Sequence, residues 1–213
     1  MKRAVWITGV PAAGKSALGQ RLTMAMRREF GSPCTFVDAN VIRGQFWPHL
    51  GLTPEERLVN VNGMAELAGV FLRAGTSVVV ACIAPDRVGR NRALGLVRVA
   101  AQGVAVHQVY VRAPLDVLKA RDDKGLYKAH EEGRLVGLTG IDAPYEPPYP
   151  DEALYLDTSE LTVGDAVREV LSYLQEASPL RWPGQDIFPE DRTAATPSIT
   201  TPTTPVPSVL AGR

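Results

Sequence analysis

Gly9-Val10-Pro11-Ala12-Ala13-Gly14-Lys15-Ser16 constrains this chain more than any other stretch. It fits the pattern G-x-x-x-x-G-K-[ST] and falls between an apolar run, Ala4–Thr8, and a segment of helical period beginning at Lys15. Glycines in such a loop let the backbone curl until consecutive N–H groups converge on anionic oxygens. The following helix adds the positive end of its dipole. A lysine at the seventh position reaches the β- and γ-phosphates of a nucleoside triphosphate, and the hydroxyl after it joins the Mg²⁺ shell. With glycine at about 7% of residues in general, a chance match is on the order of a one-per-cent event. The strand–loop–helix context lowers that further. ATP and Mg²⁺ are therefore the expected cofactors. Gly9, Ala12, Ala13, Gly14, Lys15, Ser16 and Ala17 form the expected nucleotide cradle.

The rest of the chain alternates strands with helices. Lys15–Phe30 carries Leu18, Leu22 and Met26 at four-residue steps, and Cys34–Asp38 reads as a second strand ending on a carboxylate. Thr53-Pro54-Glu55-Glu56 signals a helix start, with a capping threonine, a first-turn proline and acids at the positive dipole end. That helix is predicted to run to about Arg73. Ser77–Ile83 is rich in β-branched residues and reads as a strand. A helix over Arg87–Ala101, a strand over Ala105–Val111, a short helix from Pro114 to Ala120, a strand over Ala153–Leu156 and a helix over Val163–Gln175 complete the pattern. It predicts an α/β fold, a three-layer α/β/α P-loop NTPase with about five parallel strands. The charged, glycine- and proline-rich stretch 122–149 is expected to be a mobile lid. The kinase domain is placed at 1–177. From Ser178 the composition turns to proline, threonine and serine, so 178–213 is expected to be a disordered tail.

Lysine plus arginine number 23, and aspartate plus glutamate also number 23. That balance gives no electrostatic ground for a nucleic-acid or anionic-membrane partner. The apolar run before Gly9 is too short for a secretory leader, and no stretch approaches the ~20 apolar residues of a membrane span. A cytoplasmic protein is expected. Cys34 and Cys82 fit neither a metal spacing nor a disulfide framework and read as small hydrophobes.

Asp38, at the carboxyl end of the second strand, should face the γ-phosphate. A carboxylate there orients Mg²⁺ water or accepts the proton of an attacking hydroxyl; the plainer alternative is a helix N-cap. Arg57 and Asn60, three apart on one helix face, together with Arg43 suit an anionic acceptor, because guanidinium groups hold phosphate or sulfate oxygens bidentately. Solvated surface arginines are the usual alternative. His49, His107 and His130 stand without a partner at a readable spacing and are taken as structural or surface residues. For Arg87, Arg90 and Arg92 a solvated helix face is favoured over a phosphate contact.

Two further stretches carry a family likeness. Ala120-Arg121-Asp122-Asp123-Lys124-Gly125-Leu126-Tyr127-Lys128 and Gly137-Leu138-Thr139-Gly140-Ile141-Asp142-Ala143-Pro144-Tyr145-Glu146 resemble the A-R-D-P-K-G-L-Y-K and G-F-T-G-I-D-[SA]-P-Y-E runs of adenylylsulfate kinases. Leu52–Asn60 and Val37-Asp38 with Arg43 match as well. The resemblance implies transfer of a phosphoryl group from ATP to the 3′-hydroxyl of adenosine 5′-phosphosulfate, a step of sulfate activation, by a protein often assembled as a homodimer. It implies that Asp38 is the candidate base, with Lys15, Ser16 and Asp38 at the reacting phosphates. Arg43, Leu52, Arg57, Asn60, Ile83, Ala84 and Leu138 fall on its acceptor side. Lys124 falls in the lid, at the reacting phosphates, and Arg121 in the segment covering ATP.

Departures cluster on the acceptor side. The family's D-G-D-N is Asp38-Ala39-Asn40-Val41, so a second carboxylate is an amide at Asn40. Two phenylalanines that sandwich the acceptor adenine are Leu52 and Leu138. One arginine of N-I-R-R is absent, since Asn60-Val61 is followed by Asn62-Gly63, and the serine of F-I-S-P is Ala84, which excludes a phosphoserine there. These changes leave two alternatives beside the first reading: a kinase of another nucleotide or biosynthetic intermediate, and a non-catalytic nucleotide-binding module.

Overall fold

A run such as Ser77-Val78-Val79-Val80-Ala81 has no polar face to offer water, so it must be covered on both sides. The computed structural model, which describes residues 2–101 and 103–176, solves this with a sheet between two helical layers. The tail expected at 178–213 lies outside the described residues. The elements in order are β1 (Arg3–Thr8), α1 (Lys15–Phe30), β2 (Cys34–Asp38), α2 (Ala39–Phe46), α3 (Pro54–Arg73), β3 (Ser77–Ala81), α4 (Arg87–Ala101), β4 (Ala105–Arg112), α5 (Leu115–Ala120), α6 (Leu126–Glu131), β5 (Leu154–Asp157) and α7 (Val163–Glu176). The strands pair in parallel in the order β2-β3-β1-β4-β5.

Successive residues of β1 point to opposite layers. Ala4 and Trp6, with Val78 and Val80, pack on Met64, Ala68 and Leu72 of α3 and on Leu94 and Val97 of α4. Val5 and Ile7, with Val79 and Val109, pack on Leu18, Leu22 and Met26 of α1 and on Val167, Val170 and Leu174 of α7. Each fully buried aliphatic side chain contributes roughly 1.5–3 kcal/mol. These two cores fix the carboxyl ends of the strands, where the loops after β1, β2, β3 and β5 gather.

Local signals set the boundaries. Thr53 and Glu56 complete a capping box at the start of α3 with Pro54 in its first turn, and Gly31 ends α1 in the left-handed region. Two short helices depart from the sequence expectation. α2 begins because Asp38 accepts the backbone N–H of Asn40, and α6 begins because Asp122 accepts those of Leu126, Tyr127 and Lys128. An aspartate in front of a weakly periodic segment was sufficient to start each one. β3 stops at Ala81, short of the predicted Ile83, because Ala84 turns to φ 42° just before Pro85.

The basic turn after β3 is a second correction. Arg92 is exposed, but Arg90 is 0% exposed and no part of a solvated face. Its guanidinium finds backbone carbonyls in place of water. Cys34 and Cys82 are buried and free, and burial pushes both thiols up to about 11, as suits small hydrophobes. His107 is buried on β4 and held down to about 4 by desolvation, so it is a neutral core residue.

Candidate active site

The loop from Gly9 to Gly14 leaves β1 through conformations that favour glycine. Gly9 has φ 149°, and a Cβ there would lie 2.2 Å from the Val111 carbonyl oxygen of β4. Its part is to let the loop pass β4. Gly14 has φ 89° and stands immediately before α1. Ala12 occupies the left-handed region at φ 60° although it carries a Cβ. Ala12→Gly is therefore expected to stabilise the chain by about 1 kcal/mol, a rise in Tm of roughly 3 °C, read by thermal unfolding. The Ala13 side chain is turned into the α1/α7 core, which leaves only its backbone to serve a ligand.

Lys15 is 7% exposed, and its ammonium donates to Val10 O at 2.6 Å. Burial lowers its pKa to about 8; next in size Cys82 opposes the fall, then Lys124 adds to it and Asp38 opposes it. Below pH about 8 the amine is charged; above it the amine is neutral. A bound triphosphate favours the charged form, so binding at higher pH must take up a proton. ATP affinity is expected to be greatest below pH about 8 and to fall above it by up to about tenfold per pH unit. Titration calorimetry at about pH 9 in two buffers of different ionisation enthalpy reads the proton directly.

Across from Lys15, the Ser16 hydroxyl donates to Asp38 Oδ2 at 2.5 Å. Asp38 Oδ1 accepts from the backbone N–H of Asn40 at 2.8 Å and from its side-chain amide at 3.1 Å. Asp38 thus caps α2 with one carboxylate oxygen and meets the Ser16 hydroxyl with the other. A hydroxyl and a carboxylate oxygen this close form a hard-oxygen pair. Mg²⁺ commonly takes one or two such groups beside phosphate oxygens and water. The donor set fits that ion.

The adjoining cleft, about 430 Å³, is lined by Ala12, Gly14, Lys15, Ser16, Ala17, Asn40, Ile83, Arg121 and Lys124 among others. It also includes Thr158, Leu161, Val163 and Ala166, which the sequence reading did not single out. Arg121 donates to Thr158 Oγ1 at 3.0 Å and to Thr158 O at 2.9 Å, which ties its stem over that wall. The signal that could have found Thr158 was its place directly after the last strand, at the carboxyl edge of the sheet.

Acceptor-side candidates sit beyond this cleft. Arg43 donates to Leu50 O at 2.5 Å and Gly51 O at 2.7 Å. Arg57 donates to Leu52 O at 2.7 Å, to Gly137 O at 2.5 Å and to the Thr139 hydroxyl. Both arginines therefore hold loop carbonyls. Asn60 Oδ1 is buried without a protein donor, an opening for a ligand hydroxyl or amine. Leu52 is 37% exposed, whereas Leu138 is 4% exposed and packs in the α1/α7 core. Ala84 is buried, and Ile83 reaches the cleft wall.

The expected lid lies packed on the loop. The Tyr127 hydroxyl donates to Pro11 O at 3.0 Å, and a Cβ on Gly140 would come within 2.8 Å of Val10 Cγ1. Asp142 accepts the N–H groups of Gly137 and Leu138 at 2.8 and 2.6 Å, with His130 Nε2 3.4 Å from the same carboxylate.

Five parallel strands in this order, with a phosphate-binding loop leaving the central one, are the fold of P-loop kinases related to nucleotide kinases. Comparison with known proteins narrows the class. The model of the adenylylsulphate kinase family matches residues 1–155. An adenylyl-sulfate kinase of Paraburkholderia xenovorans is 35% identical over 170 residues, covering 80% of this chain and 91% of that protein. One from Penicillium chrysogenum is 35% identical over 174 residues, covering 80% and 82% respectively. The Mycobacterium tuberculosis APS kinase CysC, solved in complex with AMPPNP and APS, superposes with a TM-score of 0.74 at 28% identity, over 82% of this chain and 98% of that one. The chain belongs to the adenylylsulfate kinase family.

Proposed function

We propose that the chain phosphorylates the 3′-hydroxyl of adenosine 5′-phosphosulfate with ATP, giving ADP and the 3′-phosphorylated product. The observation that carries this reading is the Ser16–Asp38 pair, 2.5 Å apart across from the buried Lys15, in a chain of this family. The 3′-oxygen attacks the γ-phosphorus, the bond to the bridging oxygen of ADP breaks, and the hydroxyl proton passes to Asp38 Oδ2. That oxygen has one protein donor, against two at Oδ1. Lys15 and Lys124 meet the charge on the moving group. Ser16 and Asp38 would hold Mg²⁺, which would offset the charge of the triphosphate. Arg121, with the Thr158–Val163 wall, carries the ATP base. Arg43, Arg57 and Asn60 hold the phosphosulfate side. Segment 122–149 opens and closes as a lid that keeps water from the phosphoryl group. The same reading takes 1–177 as the catalytic domain of a cytoplasmic homodimer. Among the described residues, no helix is long and apolar enough to cross a membrane.

A second reading, the same chemistry on a different nucleotide, is favoured by one observation. Leu138 faces the core and Leu52 offers no π-face, so an adenine acceptor finds no aromatic clamp at these two positions. A coupled ADP-release assay decides between them. Turnover with adenosine 5′-phosphosulfate supports the first. Turnover confined to a non-sulfated nucleotide replaces it with the second, and ATP binding without turnover on any acceptor defeats both.

A further inference from the structure

Arg90 is an arginine without exposure, placed on α4 where sequence reasoning expects a solvated face. Burying a guanidinium is costly unless its donors are used. Here Nη1 and Nη2 are used on two separate segments, while Nε is buried without a protein acceptor among the described residues. Nη1 donates to Ala84 O at 2.6 Å, on the loop after β3, and Nη2 donates to Glu146 O at 2.9 Å, where the lid returns to the domain. The guanidinium carbon lies 5.9 Å from the centre of the Tyr145 ring, within range of a cation–π attraction.

The two segments bond each other as well. Glu146 N–H donates to Pro85 O at 2.9 Å, and Arg87 N–H donates to the Glu146 carboxylate at 2.9 Å. Thr8, the last residue of β1, donates to Ile83 O at 2.6 Å and shares a 2.9 Å hydrogen bond with the Tyr145 hydroxyl. Within this set Ala84 is held at φ 42° ahead of a proline, a conformation an alanine adopts only when its surroundings impose it. Ile83, one residue earlier, is on the wall of the nucleotide cleft.

We infer that Arg90 is a positioning residue that couples the returning end of the lid to the Ile83–Pro85 loop, so that lid closure and the placement of the acceptor against the γ-phosphate are one event. This rests on the proposed kinase reading for its kinetic consequence, not for the coupling itself. Only a planar fork reaches both carbonyls at once. A lysine can satisfy one of them, and a methionine neither. The Arg90 guanidinium bonds to Ala84 O and Glu146 O, not to the Gly9–Ser16 loop, so its loss is expected to act on the acceptor more than on the nucleotide.

The test compares the wild-type chain with Arg90→Lys and Arg90→Met by steady-state kinetics and by hydrogen exchange. The expected result for Arg90→Met is an acceptor KM raised, or kcat lowered, by about tenfold to a hundredfold, with the Kd of AMPPNP changed less than about twofold. Arg90→Lys is expected to fall between the two. Amides of Ile83, Ala84, Asp86, Arg87, Tyr145 and Glu146, the Glu146 N–H above all, should exchange faster in both variants while those of 9–18 keep wild-type rates. An equal loss of nucleotide and acceptor binding would overturn the inference, as would unchanged exchange at Tyr145 and Glu146. If Arg90→Met does not fold, Arg90→Lys and Tyr145→Phe, which removes the hydroxyl bonded to Thr8, carry the same comparison. Absence of turnover in the wild-type chain would count against the kinase reading alone, since the exchange measurement still tests the coupling.

Discussion

Asp38→Asn is expected to lower kcat by about 10³-fold while leaving the fold in place. The substitution removes charge and keeps shape. Asparagine is as good an N-cap as aspartate, so the start of α2 survives. The Ser16 hydroxyl, now a donor to Asp38 Oδ2, can turn to accept from the new amide. What is lost is the carboxylate's capacity to take a proton and to draw a cation. Thermal unfolding should move by less than about 1 kcal/mol. Affinity for nucleotide without Mg²⁺ should be unchanged, because Lys15 and the backbone amides supply that contact. Single-turnover measurements at saturating acceptor separate the chemical step from binding. A variant that keeps kcat within about threefold of wild type would remove Asp38 from the base role.

Much of this framework is legible in the sequence because it is local. The Gly9–Ser16 loop lies within one strand–loop–helix unit, and the start of α3 is written in Thr53, Pro54 and Glu56. The β-branched run of β3 has few other destinations. The expectation that failed for Arg90 depends on chain segments far apart. Arg90 has charged neighbours in sequence at Arg87 and Arg92, and composition says surface. Its burial follows from Ala84 and from Glu146, 56 residues away, whose carbonyls converge on it. The wall formed by Thr158, Leu161 and Val163 follows the last strand, which the sequence shows, but none of the three carries a charge or motif that marks it as part of a site. Arg43 and Arg57 were legible as cations but not as loop ties, because their partners are backbone oxygens, which sequence does not distinguish.

The two leucines that replace the family's phenylalanines are not equivalent, and the second large effect follows from that. Leu52 is 37% exposed at the edge of the lid, where a side chain on Gly137 would come within 3.9 Å of its Cβ. A phenylalanine there can extend over an acceptor base without displacing packed atoms. Stacking on an aromatic ring contributes ~1–3 kcal/mol per base, so Leu52→Phe is expected to lower the KM for an adenine acceptor by about 10- to 100-fold. Leu138 is 4% exposed inside the α1/α7 core. A larger ring in that close-packed space costs ~1–3 kcal/mol, so Leu138→Phe should lower Tm by roughly 5 °C and leave the acceptor KM unimproved. Parallel KM and thermal-unfolding series on the two single variants decide the matter. If Leu138→Phe sharpened acceptor binding at unchanged Tm, this side chain would face the ligand, and the core on that side of the lid would have to rearrange when acceptor binds.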